Sequence, residues 1–422
     1  MRRLSLSDTI FYNLGDCYMN AAAVLDGPCD LAMLLAEMEG VIEALPALTE
    51  QSVRVGIWTF AKRSSGPVDL PKHVSIVRDP AITRIDQLVP RMDRLRRSPI
   101  RIDGPDWRIF VINPTGTPPN PETGEPPLSA LLMQMRHGLA DAVRGLQILS
   151  RMRQYEPSER HLEVAARLKE ADPLDLTPKI AVHDPGLSLL QVPRRGMIRE
   201  GDSSERLAAV VATAVADTDL FPHAQPLRGN IGRTRFVRRR TENGVGNALK
   251  MVTVSTKPKR EKKKAPIPGL ARAQDLPIMQ WLVALTPRRL ARLMMKVWYS
   301  NFDGVATLIP MPRKIVLGGR QVKATFGIPP LWGPVPMAVV ALADGEHYNA
   351  TLVPGNGFTA DRAALLDRVY HLLNPEEGDD LSEVEDMLAT FSEAPEQASD
   401  QGQGADGNSS SPVSLPARAK SP

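Results

Sequence analysis

His137 stands four residues before Asp141 in the stretch MRHGLADAVRG, residues 135–145. A histidine titrates near about pH 6.5, so one imidazole can take a proton from an attacking group and return it to a leaving group at neutral pH. On its own H-x-x-x-D is a weak pattern, equally at home in a solvated turn. The remaining histidines offer less. His183 precedes Asp184 in AVHDPG, which reads as turn chemistry, and His73, His161, His223, His347 and His371 are scattered and expected at the surface. The two cysteines, Cys17 and Cys29, form no C-x-x-C pair and no disulfide framework. No His/Cys/Asp spacing suggests a metal site, and no glycine-rich phosphate loop is present.

The elements around His137 suit a positioned side chain. TGTPPNPETGEPP, residues 115–127, is a loop by composition, and the apolar run LSALLMQM that follows reads as a buried strand ending at Arg136 and His137. Leu139, Val143, Leu146 and Leu149 then recur at helical spacing. His137 therefore falls where a buried strand gives way to a helix, a place where a rigid scaffold holds side chains beside a cavity. Upstream, AAAVL reads as a strand. DGP breaks it, and a helix from Leu31 to Leu45 follows, with Asp30 as N-cap and Pro46 as its stop. VRVGIWTF and DWRIFVINP read as strands, and QLVPRMDRLRRS as a helix. Residues 154–200 are polar and broken by prolines, and read as a linker or crossover. Further on come a helix in SSERLAAVVATAVADT, a strand in LKMVTVS, a cationic amphipathic helix ending in RRLARLMMKVW, alternating strands through residues 314–355, and a last helix in ADRAALLDRVYHLL.

With 422 residues the chain is long enough for two domains of ordinary size, and 42% hydrophobic residues supply their cores. The net charge of +4 arises from 52 basic and 48 acidic residues, a near balance that argues against nucleic acid as partner. No run approaches the ~18 apolar residues of a spanning helix, and the N-terminus lacks a signal-peptide core. The expected location is cytoplasmic, with peripheral membrane contact left open through the basic loop 257–264. From about residue 392 the chain is rich in Ser, Gln, Gly and Pro, and is expected to be disordered.

Several stretches together resemble the wax ester synthase/diacylglycerol acyltransferase family, part of the wider group with chloramphenicol acetyltransferase and peptide-synthetase condensation domains. LSLSDTIFYNLGD is similar to the family's opening, and VLDGPCDLAMLLAEMEGVIEALPALTE to its first strand and helix. GPDWRIFVI is similar to the strand beginning Pro-Leu-Trp, here Pro105, Asp106 and Trp107. RHGLADAVRGLQIL is similar to the signature His-His-x-x-x-Asp-Gly, WYSNFDGV to the Ser-Asn-x-x-Gly strand, and YNATLVPGNGFTADRAALLDRVYHLL to the final strand and helix. The likeness spans most of residues 4–373.

The resemblance implies an α/β (α+β), two-lobed, chloramphenicol-acetyltransferase-like fold with the active site in a tunnel between the lobes. The N-terminal lobe would take residues 1–160, a linker 161–200, a shortened C-terminal lobe 201–374, and an acidic, then disordered tail 375–422. It also implies an acyl transfer from a CoA or acyl-phosphopantetheine thioester to a hydroxyl or amine acceptor, lipid-like in this family, with no bound cofactor and no metal. His137 would be the base. Asp141 would hold the loop, and Trp107, Ser300 and Asn301 would line the tunnel. Three departures bear on function. The first signature histidine is Arg136, the signature glycine is Ala142, and the Asn-Asp pair of the family's second lobe is missing from a shortened stretch around FVRRRTENGVGNALKMVTVS. Arg136 would either set a fixed cation beside the base, lowering the histidine pKa, or hydrogen-bond an anionic intermediate. The same departures support a catalytically silent relative that binds a partner, and a carrier-bound donor would make the chain a condensation-type enzyme of natural-product assembly.

Overall fold

The computed structural model describes residues 1–4, 6–13, 17–56, 58–64, 66–100, 104–138, 148, 152, 154–174, 186–193, 203–216, 230–236, 249–255, 282, 285–299, 304–311, 314–330, 335–344, 346–355, 358, 360–375 and 384. The strands are β1 (Arg2–Arg3), β2 (Tyr18–Leu25), β3 (Glu50–Val55), β4 (Trp58–Arg63), β5 (Val74–Val77), β6 (Trp107–Ile112), β7 (Ala130–Arg136), β8 (Ser188–Pro193), β9 (Asn230–Phe236), β10 (Leu249–Ser255), β11 (Gly304–Pro310), β12 (Val316–Leu317), β13 (Arg320–Ile328), β14 (Met337–Ala343) and β15 (His347–Pro354). The helices are α1 (Leu6–Asn13), α2 (Leu31–Ala44), α3 (Leu70–His73), α4 (Val89–Arg97), α5 (Glu159–Glu170), α6 (Ser203–Ala216), α7 (Arg288–Tyr299) and α8 (Arg362–Leu373).

Two sheets of mixed direction carry the chain. The first runs β12-β13-β2-β7-β6-β5 and the second β10-β9-β11-β14-β15-β8, while β1-β4-β3 form a small sheet of their own. In the first sheet β7 lies between β2 and β6, and both of its faces are covered. Leu131 and Met135 face α2, whose Leu31, Leu34, Leu35, Met38 and Val41 lie in the same core with Trp107 and Ile109. Ala130 and Leu132 face the other way, toward Met92 and Leu95 of α4 and Phe326 of β13. A strand buried on both faces reads as a continuous apolar run, which is the pattern of LSALLMQM. The second sheet is covered by α6 and α8: Leu207, Val210 and Val211 pack with Leu308, Val339, Leu365 and Val369.

α2 begins where expected. The Asp30 carboxylate accepts from the backbone N–H groups of Ala32 and Met33, the usual N-cap arrangement. VRVGIWTF is a hairpin rather than one strand, because Gly56 at φ +60 turns β3 back on itself as β4. In the stretch read as a linker or crossover, the described residues 154–174 and 186–193 carry structure of their own. Ser158 caps α5 through a box with His161, Val164 and Ala165 of α5 join the α2 core, and β8 pairs antiparallel with β15.

The halves of the chain also interlock. β13, from the second half, pairs antiparallel with β2 of the first sheet. The turn leading into it is pinned by Glu37 of α2, whose Oε2 accepts from the Gly318 N–H at 2.8 Å. Only glycine fits there: Gly318 has φ +54, and an added Cβ would stand 2.4 Å from Cys29 Sγ. Among the described residues no helix is long and apolar enough to cross a membrane. The tail beyond residue 384 and the basic loop 257–264 lie outside the described residues.

Candidate active site

The site is built on the end of β7. The ladder with β2 continues one residue past the strand, where the His137 N–H donates to the Cys17 carbonyl at 2.9 Å. The His137 ring lies flat against Phe11 of α1, with ring centroids 4.0 Å apart and planes 4° from parallel. Gly138 then passes beneath the same helix, and a Cβ on it would be 3.0 Å from the Asp8 carbonyl oxygen. One short helix thus holds the imidazole by its face and needs a glycine directly after it. Phe11 and Gly138 were not singled out by the sequence reading; the signal available was the likeness of LSLSDTIFYNLGD to the family's opening.

Arg136 does not stand loose beside the base. Its N–H donates to the Asp106 carbonyl at 2.9 Å. Its guanidinium Nε lies 3.5 Å from Asp106 Oδ2, with both side chains largely buried. The same guanidinium sits 5.4 Å from the Tyr12 ring centre and 5.7 Å from that of Tyr18. Asp106 Oδ2 also accepts the Ser52 N–H at 3.0 Å. This bears on both readings of Arg136: its charge is answered by a carboxylate rather than held as a bare cation. Two departures from the family pattern therefore meet. Asp106 stands where the resemblance has leucine and Arg136 where it has histidine, and the β6–β7 register, with Trp107 opposite Met135, sets them side by side.

Trp107 is fully buried in the α2 core. Its indole N–H donates to the Leu48 carbonyl at 2.8 Å, and its ring lies against His73. His73 is a correction, because it is 1% exposed rather than at the surface. Its Nδ1 is 2.7 Å from the Trp107 carbonyl, which can only accept, so Nδ1 carries the proton. Burial lowers its pKa, against the opposing pull of the Trp107 carbonyl. His161 is also tied down, 2.8 Å from Glu39 on α2. Asp141, Ala142, Ser300 and Asn301 lie outside the described residues. No group of three potential metal ligands occurs among the described residues.

No family model and no curated protein matches the sequence. Solved structures do match. The wax ester synthase/diacylglycerol acyltransferase from Marinobacter aquaeolei VT8 superposes with a TM-score of 0.51 at 13% identity, over 92% of this chain and 100% of that one. A variant of the starter condensation domain of rhizomide synthetase, in complex with C8-CoA and Leu-SNAC, gives 0.53 at 12% identity, over 88% and 92%. The first condensation domain of the calcium-dependent antibiotic synthetase, in complex with a substrate analogue, gives 0.50 at 11% identity, over 91% and 98%. At such identities the likeness speaks to architecture. The chain has the two-lobed mixed α/β fold of wax ester synthase and the condensation domains.

Proposed function

We propose that the protein is an acyltransferase moving an acyl group from a CoA or carrier-bound thioester to a hydroxyl or amine acceptor, with His137 as general base. The observation that carries this reading is the placement of His137: a histidine at the end of a rigid central strand, its ring clamped flat on Phe11. In the proposed step the imidazole takes the acceptor's proton while its oxygen or nitrogen attacks the thioester carbonyl. Collapse of the tetrahedral intermediate breaks the carbon–sulfur bond, and the imidazolium returns the proton to the thiolate. Proton transfer of this kind contributes about 10²–10⁴-fold. Asp141 is proposed to hold the turn after His137, and Ser300 and Asn301 to line the approach. The complex of a structural neighbour with C8-CoA and Leu-SNAC supports a CoA-type donor and an amine acceptor; a lipid-like hydroxyl acceptor is the finer reading taken from the family resemblance.

The Arg136–Asp106 pair argues against a decayed, silent relative. A lone arginine in place of histidine would be a buried cation without a partner, whereas this one is matched by a second change on the neighbouring strand. The test is incubation of the pure chain with a panel of acyl-CoAs and of alcohols and amines, reading thiol release. Acceptor-dependent release supports the reading. A folded chain that releases no thiol with any pair overturns it in favour of the binding relative.

A further inference from the structure

α7 is arranged against the order that core packing dictates. Its inward side is carried by Ala291 and Met295, both buried, while Leu290 and Leu293 point out and are 50% and 56% exposed. Leu282, just before the helix, is 49% exposed. A helix placed by burial alone turns its leucines toward the core and its polar side toward water. Here the outward side also holds Arg289, Arg292 and Lys296, all exposed. Leu290 and Leu293 follow at i, i+3, and Arg289, Leu293 and Lys296 at i, i+4, i+7, so the leucines and cations share one side of the cylinder. No carboxylate occurs anywhere in residues 285–299. Among the described residues neither Arg289 nor Lys296 forms an ion pair.

A solvated surface helix mixes its charges, and exposed leucines gain nothing from water. An apolar stripe bordered by cations alone fits a boundary between hydrocarbon and anionic headgroups, where leucines enter the acyl region and arginine and lysine meet phosphates. We propose that α7 is a docking face for an anionic lipid surface. The face lies close to the candidate site. α7 packs against α1, and α1 carries the Phe11 and Tyr12 that touch His137 and Arg136. On the acyltransferase reading, a docked chain would meet apolar substrates one helix away from the base.

The test is co-sedimentation of the full chain with vesicles of phosphatidylcholine alone and of phosphatidylcholine mixed with phosphatidylglycerol. The expected result is binding to the anionic vesicles only, weakening as salt is raised. Leu290→Ser with Leu293→Ser should weaken it at least about tenfold, and Arg289→Gln with Lys296→Gln by about tenfold or more. Both double variants should keep the wild-type unfolding midpoint, because the replaced groups stand in water. A chain with the lysines of 257–264 neutralised should retain binding that still depends on the two leucines. Failure to bind anionic vesicles overturns the proposal, as does binding indifferent to the leucine pair, or capture of an acidic protein in place of vesicles. The readout uses no thioester, and His137→Ala should sediment as wild type does. Loss of the acyltransferase reading would therefore leave this result standing.

Discussion

Two of the buried ionisable sites around the first sheet, at Arg136 and at Glu37, are answered differently. At the end of β7 the Arg136 guanidinium meets a carboxylate, two aromatic rings and a strand edge. At the turn into β13 the Glu37 carboxyl meets no opposite charge among the described residues. One oxygen accepts from the Gly318 N–H, the other has no hydrogen-bond partner, and the residue is 0% exposed. Burial dominates, with Asp30 adding repulsion, and the Glu37 pKa is pushed up to about 7 against the pull of the Gly318 and Gly319 amides. The contrast shows what each environment can tolerate. Opposite charge lets an ionised side chain remain inside the fold, whereas backbone amides alone leave a buried carboxyl ready to take up a proton.

The largest effect should come from separating the pair. Asp106→Leu, which restores the residue of the family pattern, leaves Arg136 without its carboxylate and the Ser52 N–H without an acceptor. It should cost about 3 kcal/mol in urea unfolding. Adding Arg136→His in the same chain should recover more than half of that loss. If the two changes simply add, the two departures are unrelated and the coupling is wrong.

Glu37 should respond to pH instead. Its folded pKa lies above the ordinary 4.5, so the folded chain holds the extra proton; the Glu37 contribution to stability is fully present below 4.5 and is lost as pH rises through about 7. Glu37→Gln cannot ionise. Whatever its baseline cost, its stability relative to wild type should improve by up to about 3 kcal/mol between about pH 4 and about pH 8. A gap that stays constant with pH would show that this carboxyl does not titrate differently on folding.

The smallest effect is expected at Phe11. Phe11→Leu removes the flat ring contact, worth about 1 kcal/mol in such pairs, and should lower thiol release by about fivefold through kcat while leaving KM for the thioester unchanged. A change confined to KM would place Phe11 in substrate binding rather than in holding the imidazole.

Much of this was legible in the chain. The apolar run before Arg136, the helix capped by Asp30 and the place of His137 at the end of a buried strand follow from local periodicity and capping, and the structure bears them out, while most of the helix expected after His137 lies outside the described residues. What escaped depends on pairing at a distance. Asp106 and Arg136 are separated by a long loop, and only the register of β6 against β7 makes them partners. The sequence likewise gives no sign that Glu37, in an otherwise apolar helix face, answers the turn at Gly318, or that β13 crosses to β2. His73 was expected at the surface because it stands apart from any motif. It is buried because the Trp107 carbonyl receives its N–H inside the core.

The central claim is that His137 performs proton transfer in acyl transfer, and the most direct measurement is thiol release by His137→Ala at saturating thioester and acceptor. Release should fall by about 10²–10⁴-fold. The unfolding midpoint should stay within a few degrees of wild type, since the ring is only partly buried and the backbone bond to Cys17 persists. Turnover equal to wild type in a folded His137→Ala chain would contradict the account.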